Sequence, residues 1–400
     1  MRTAPLWTFV DVRPSNVNKK SKQGERSVRL VNYTDVYHHQ NITADLDLML
    51  ATASNEHIER FRVLPGDIII TKDSESPDDI GIPAQVTSAD HDMVCAYHLT
   101  LLRPHRNTVC SRFIYWALES SSVKDYWLTS SFGVTRFSIG SGVISRLPVI
   151  DVDFETQLVI ADYLDRETGE IDAMITKLDD LMDALTARRH AKIASVLASM
   201  SVRIRLTLVV DIISGSGFPD RFQGVSGQEL PFYKVSSLSL ADKGYLREAE
   251  NSVTSEMAAE LGARIIPPGS VIMAKIGAAL LLARYAVTSR PACIDNNLQA
   301  LVPRGKLIDS RFLAYAMEEV SIPSLVKPGP VPSLDVMGMK MTDIAYDHSL
   351  EVQHRIVDHL DEVTSKIDAM IAKVSELKSL LIERRAALIT DVVTGRKKVA

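Results

Sequence analysis

Four hundred residues, 46% apolar, 24% charged and 6% aromatic, have the composition of an ordinary globular protein with room for two or three domains. That excludes a disordered tail, a collagen-like fibre and a small disulfide scaffold. The longest strongly apolar run, Ala278 to Ala283, is far short of the ~20 residues a membrane helix needs. Net charge is −5 and unevenly spread: residues 151–200 carry −6, while 1–150, 201–346 and 347–400 carry 0, +1 and 0. Binding to DNA would therefore rest on local basic patches or on charge supplied by a partner. Met1 to Val12 has one Arg and no apolar core run, unlike a secretory signal. Cys95, Cys110 and Cys293 are far apart, with no Cys-x-x-Cys, which points to a reducing cytoplasm and away from a zinc ribbon.

Taken in chain order, Gly66-Asp-Ile-Ile-Ile-Thr-Lys72 predicts a turn followed by a β-branched strand. Asp78-Asp79, between Pro77 and Gly81, reads as a solvated turn. Ser111 to Glu119 reads as a short amphipathic helix, and Ser130 to Gly142, rich in Gly and Ser, as a loop. No proline occurs between Pro148 and Pro219, and the apolar residues Leu164, Ile171, Leu178 and Leu185 recur every seven positions. Ile160, Met174 and Leu181 fill a second row, and Asp153 suits the N-cap. This is the pattern of a coiled-coil helix of about 45 residues, ~65 Å long at 1.5 Å per residue. Glu167, at a seam position, needs a partner or a wet gap.

The same plan then returns. Ser270-Val-Ile-Met-Ala-Lys275 predicts a strand, Ser310 to Glu319 a short helix and Lys327-Pro-Gly-Pro-Val-Pro-Ser333 a loop. Leu360, Ile367, Val374 and Leu381 form a second heptad row, flanked by Ile356, Val363, Met370 and Leu377, after Ser349 at the expected N-cap. A shift of 196 lays Asp162-Tyr-Leu-Asp165 on Asp358-His-Leu-Asp361, and Ile171-Asp-Ala-Met-Ile175 on Ile367-Asp-Ala-Met-Ile371. Glu155-Thr-Gln157 falls on Glu351-Val-Gln353, and Arg188-Arg189 on Arg384-Arg385. About half of the aligned helix positions are identical. Weaker similarity runs upstream: Ser111-Arg-Phe113 matches Ser310-Arg-Phe312, Leu99 matches Leu298, and Pro65-Gly66 resembles Pro268-Gly269. The expected fold is α+β: two similar mixed α/β domains, 1–150 and 201–346, alternating with long helices in 151–200 and 347–400. The helices pair as an antiparallel coiled coil, with a pseudo-twofold internal repeat.

Catalytic motifs are missing. There is no G-x-x-x-x-G-K-[ST], no G-x-S-x-G and no Asn-Pro-Pro-aromatic run of an adenine methyltransferase. Ser214-Gly-Ser-Gly217 reads as a turn, and His354 and His359, five apart, as surface residues rather than metal ligands. No metal site and no cofactor is expected on this chain. Duplicated domains joined by rigid spacers, without a catalytic set, suit a recognition adapter more than an enzyme.

With these motifs in view, the chain resembles the specificity (S) subunit of type I restriction-modification systems over essentially its whole length. The most specific stretch is Ile160-Ala-Asp-Tyr-Leu-Asp-Arg-Glu-Thr168 through Ile171–Ile175 to Arg188-Arg189, with its partner Ile356 to Arg385. Where that family has a proline pair and Glu-Gln at the helix start, this chain has one proline, Pro148, and Glu155-Thr-Gln157. The resemblance implies a non-catalytic, cytoplasmic subunit. Each recognition domain would read one half of a bipartite asymmetric target on double-stranded DNA, and the helices would set the spacer. Two modification (methyltransferase) subunits that use S-adenosylmethionine would dock on the helices, joined by restriction (translocase/nuclease) subunits that use ATP and Mg. No membrane is involved. A coiled-coil scaffold that does not read DNA is the alternative, and a stand-alone nuclease or methyltransferase the third reading.

Phosphate and base contacts need cations, hydroxyls and amides in loops. Lys72 and Ser74 follow the first strand, and Thr135, Arg136 and Ser138 lie in the first Gly-rich loop. Lys275, Asn296, Asn297 and Lys327 are their second-copy candidates, and Lys19, Lys20 and Lys22 form a basic stretch suited to the DNA backbone. Arg188-Arg189 and Arg384-Arg385 either face partner subunits or close the coiled coil with charge.

Overall fold

The β-branched run Ile68-Ile69-Ile70-Thr71 is buried on both faces, as a central strand must be. Successive side chains point to opposite faces, so Ile68 and Ile70 join one apolar core with Leu102, and Ile69 joins another with Leu99 and Leu101. In the computed structural model, which describes residues 2–399, this strand is the middle of a five-stranded sheet. Its order is Val10–Pro14, Leu99–Pro104, Ile68–Thr71, Pro83–Val86, Asn41–Ile42. All pairings are antiparallel except the last. A smaller sheet, Met49–Ala53, Arg26–Val31, Met93–Cys95, covers one face. The short helix Ser111–Glu119 packs in the core of the other.

The second copy repeats this strand for strand. Val210–Ser214, Leu298–Pro303, Val271–Ala274, Tyr285–Thr288 and Tyr245–Leu246 form the large sheet, again with only the last pair parallel. Ser252–Val253, Leu230–Tyr233 and Cys293–Ile294 form the small one, and Ser310–Glu318 is the short helix. The glycine of each entry turn needs a positive φ, 90° at Gly66 and 81° at Gly269. Ser111 then donates to the Gly66 carbonyl at 2.6 Å. The α+β fold with duplicated halves is thus as expected.

Each copy continues into a long helix, Phe154–Ala198 and Leu350–Val393, 45 and 44 residues long. The chain forms two compact units. Residues up to Leu178 and from Glu376 onward make unit 1, and Asp179–Ser375 make unit 2, so each helix contributes to both. In unit 1, Ile160, Ala161 and Leu164 share a core with Ile389, Val392 and Val393. Arg385 donates to Asp172 at 2.8 Å and Lys397 to Tyr163 at 2.7 Å, so the segments run antiparallel. In unit 2, Ile193 and Leu197 share a core with Val357 and Leu360, and Arg189 donates to Asp368 at 2.9 Å. The caps are Asp153, which accepts the Thr156 N–H at 2.9 Å, and Ser349, which accepts that of Val352 at 3.4 Å.

Leu164, Ile171, Leu185, Leu360, Ile367 and Leu381 are buried, and Leu178 and Val374 half-buried. The second heptad row differs from expectation. Ile160 is buried, but Met174 and Leu377 in unit 1, and Leu181 and Met370 in unit 2, are exposed. Two helices alone cover one row of each, and the flanking row is buried only where a short helix packs beside it. Glu167 is half-buried and takes Arg166 as its partner at 3.1 Å.

Polar side chains fasten each short helix to its long helix. In unit 1 the buried Gln157 accepts the Cys110 N–H at 2.9 Å and donates to the Val152 carbonyl at 3.0 Å. Arg112 donates to Asp162 at 2.7 Å and to Asp165, which also accepts the Trp116 indole N–H at 2.7 Å. In unit 2, Gln353 accepts the Asp309 N–H at 2.7 Å and donates to the Asp347 carbonyl at 2.7 Å. Arg311 and the Tyr315 hydroxyl donate to Asp361. Of the paired arginines left with two readings, Arg189 is taken up inside unit 2 by Glu318 and Asp368, and Arg385 inside unit 1 by Asp172 and the Trp116 ring. Arg188 and Arg384 remain exposed.

Leu164→Ala, which empties part of the unit 1 core, is expected to lower unfolding free energy by about 2–5 kcal/mol. Met174→Ala, in the exposed row, is expected to stay within about 0.5 kcal/mol. Urea denaturation of the two variants checks the contrast.

Candidate nucleic-acid interface

Lys72 closes the central strand of unit 1 and is braced on both sides. Its N–H donates to the His98 carbonyl at 3.0 Å, and its carbonyl accepts the Ile139 N–H at 2.9 Å. The next residues, Asp73–Ser74, pair antiparallel with Phe137–Ser138. Phe132 and Ser138 exchange both backbone bonds, at 3.1 and 2.9 Å, closing a hairpin. Lys72, Thr135, Arg136 and Ser138, more than sixty positions apart at the extremes, are thereby gathered at one strand end. The Ser130–Gly142 segment is not the plain loop its composition suggests. It holds a two-residue strand, Phe137–Ser138, and the start of the helix Ser141–Ser145, elements too short to leave a periodic signal.

Electrostatically this cluster is a linked chain. Arg136 reaches Asp73 at 3.0 Å, and Asp73 holds His98 Nδ1 at 2.5 Å. Burial pushes the His98 pKa below its ordinary value, against the pull of Asp73. Arg136 and Lys19 act in the same direction as burial, which places Lys19 within electrostatic reach of the cluster. Lys72 donates to the Ser15 carbonyl at 2.7 Å, and burial lowers its pKa. Ser74 lies under this surface rather than on it: it is buried, with its hydroxyl against Tyr33 Oη at 3.2 Å. Lys20 and Lys22 are exposed, and the Lys22 N–H is tied to Thr52 at 2.7 Å.

Unit 2 repeats the brace. The Lys275 N–H donates to the Asn297 carbonyl at 2.8 Å, and the Lys275 carbonyl accepts the Leu334 N–H at 2.9 Å. Val326–Lys327 pairs with Ser333–Leu334, and Ser333 bridges to Ile276. Here too the Pro-rich segment expected as a loop is a hairpin. Lys275, Asn296, Asn297 and Lys327 come together, with Asn296 and Lys327 exposed. Asn297 is tied by its N–H to Asp295 at 2.9 Å, and Lys327 stands 3.8 Å from Asp335. The sequence reading missed Asp73 and His98. The signal for His98 was present, since the shift that lays Leu99 on Leu298 also lays His98 on Asn297.

Cys95, Cys110 and Cys293 are free and buried, and burial raises the Cys293 thiol pKa to about 11. Among the described residues no group of three or more His, Cys, Asp or Glu is placed to hold a metal ion, and no helix is long and apolar enough to cross a membrane.

No known family model matches the sequence, and no curated relative does. Solved structures do match. One is a chain from the structural basis of complex assembly and conformational transition of the type I R-M system, 16% identical, with a TM-score of 0.68 over 98% of this chain and 97% of that one. The fold is shared with that chain. Two others are the HsdS subunit from Thermoanaerobacter tengcongensis (16% identity, TM-score 0.46, covering 99% and 97%) and the type I restriction-modification S subunit from M. genitalium (14%, 0.39, 98% and 96%).

The lowered His98 pKa has a defined sign in stability. The folded chain resists protonating His98, while the unfolded chain takes up the proton near the ordinary histidine value of 6.5. Stability from the neutral ring is therefore complete above 6.5 and lost as pH falls below it. His98→Asn, which installs the residue found at 297, is expected to flatten the fall of Tm on acidification below 6.5 relative to the unmodified chain.

Proposed function

We propose that this chain is the DNA-specificity subunit of a type I restriction-modification complex. The observation that carries the reading is the duplicated brace. In each of two like-folded units, a lysine at the end of the central strand is held between an adjacent loop and a hairpin, with polar and basic side chains around it. Two readers of one design and different surface chemistry suit a target made of two unlike halves. Residues 1–150 and 201–346 are the recognition domains in this reading, and 151–200 and 347–400 the helices whose length sets the unread spacer.

Lys19, Lys20, Lys22, Lys72, Arg136, Lys275 and Lys327 serve phosphates, and Thr135, Ser138, Asn296 and Asn297 are the polar groups available to base edges. Lys72 and Arg136 are held in place by Ser15 and Asp73, which orients them for a groove. Exposed apolar residues on the long helices support docking of two modification subunits there. S-adenosylmethionine, ATP and Mg belong to those partners and to the restriction subunits, and this chain supplies no catalytic group. Its place of work is the cytoplasm.

Adenine-methylation mapping of DNA from cells that express the chain with its modification subunit tests the reading. A split motif methylated on both strands is expected, and exchange of residues 201–346 for those of another such chain should change one half only. Methylation that does not depend on the chain would sink the proposal. In binding titrations of the assembled complex, Arg136→Gln is expected to reduce the slope of log affinity against log salt by about 1, the loss of one phosphate contact.

A further inference from the structure

The two hairpins are built to one register from unrelated sequences. Phe132 pairs with Ser138 around Gly-Val-Thr-Arg-Phe, and Lys327 pairs with Ser333 around Pro-Gly-Pro-Val-Pro. Each encloses five residues. Each is stitched by its serine, Ser138 or Ser333, to the residue after the braced lysine, Asp73 or Ile276. At each tip stands an apolar side chain that its own unit leaves in water. Val134 is 91% exposed, with Phe132 of the closing pair beside it at 61%, while Val331 is 56% exposed. Such side chains are a standing loss of free energy unless something covers them.

Both tips are stiff. Gly133 has φ 136°, and a Cβ there would lie 1.9 Å from the Arg136 carbonyl oxygen, so the first turn is folded tightly onto itself. In the second, Pro328, Pro330 and Pro332 fix three of five φ angles and remove three N–H donors, which leaves little with which to read bases by hydrogen bonds. A preorganised apolar point loses little entropy when it is inserted. Cations belong to each hairpin or its base: Arg136, which also meets Asp73, above the braced Lys72 in unit 1, and Lys327, 3.8 Å from Asp335, beside the braced Lys275 in unit 2. A protein groove has no need of that flanking charge, whereas a duplex has phosphates on both sides of any groove a tip enters.

We propose that the two hairpins are wedges, Val134 with Phe132 in one unit and Val331 in the other, each pressed into the DNA groove and unstacking one base step of its half-target. Proteins that pair an apolar wedge with flanking cations obtain specificity from how easily a step is deformed. The inference rests on the DNA-specificity reading above and adds to it the means by which a hairpin poor in donors reads a sequence.

The test uses the full chain assembled with its modification subunits on duplexes that carry the mapped target. 2-Aminopurine is placed at successive positions of each half. A several-fold rise in fluorescence on binding is expected at one step in each half. Phe132→Ser with Val134→Ser should abolish the rise in one half and weaken binding about tenfold, and Val331→Ser should do so in the other half. Phe132→Leu with Val134→Ile should restore both. All three positions are exposed, so Tm should hold, and any variant with a lowered Tm is replaced by the milder Val134→Thr or Val331→Thr. Fluorescence that survives the serine variants arises elsewhere in the complex and overturns the wedge, as does affinity unchanged within twofold. Loss of a protein subunit from the serine variants, with DNA binding intact, would assign the tips to that subunit instead. If the unmodified complex binds DNA without sequence preference, the specificity reading itself falls. If it is selective but the variants behave like it, only the wedge does.

Discussion

A buried glutamine holds the structure in register. Gln157 and Gln353 sit one turn into their long helices and satisfy the backbone at the start of the short helix and at the end of the preceding strand. An amide that bonds to two separate segments cannot shift by a residue without leaving buried polar groups unpaired, which costs about 1–3 kcal/mol for each. The arginine–aspartate contacts about two turns further along, Arg112 with Asp165 and Arg311 with Asp361, fix the angle at which the short helix crosses. The sheet rests on the short helix, the braced lysine ends the sheet, and the hairpin rests on the lysine. The position of a surface loop thus traces back to one buried amide.

This order explains why the long helices are alike in sequence and the surfaces are not. Gln157, Leu164, Asp165 and Thr168 recur at the same spacing in the second copy, and in both copies each of these positions packs or bonds in the lock or the seam. The hairpins share only a length and a register. Backbone bonds between Phe132 and Ser138, or Lys327 and Ser333, are indifferent to side chains, so the same frame carries Gly-Val-Thr-Arg-Phe in one unit and Pro-Gly-Pro-Val-Pro in the other. A frame fixed by main-chain bonding leaves the tip free to vary between the two units.

The helices, the duplication and both short helices were legible because each leaves a signal many residues long: a heptad row, a gapless shift, an amphipathic turn. The exposed second row was not, because the heptad pattern records which residues are apolar and not how many neighbours will cover them. Met174 and Leu181 look in sequence like Ile160, yet only Ile160 has a short helix at hand. Among the site residues, Lys72 and Lys275 could be found from the strands they end. Ser74 was misjudged as a surface group because a polar residue in a short strand gives no hint of the Tyr33 hydroxyl above it. Asp73 and His98 were invisible as a pair, twenty-five positions apart and joined only by the fold.

The division of the chain into units carries a consequence for its synthesis. Unit 2 is one uninterrupted stretch, Asp179–Ser375, whereas unit 1 is assembled from two pieces with all of unit 2 between them. On a ribosome the first mixed α/β domain and the opening half of its helix emerge before unit 2, yet Ile160, Ala161 and Leu164 wait for Ile389, Val392 and Val393. Unit 2 reaches closure first, although it begins later. Until residues 389–393 arrive, the first long helix presents an unsheathed apolar face, the kind of surface on which a nascent chain recruits a chaperone or clings to a neighbour. The duplication that gives the molecule two like-folded units also makes the first of them the later to be finished.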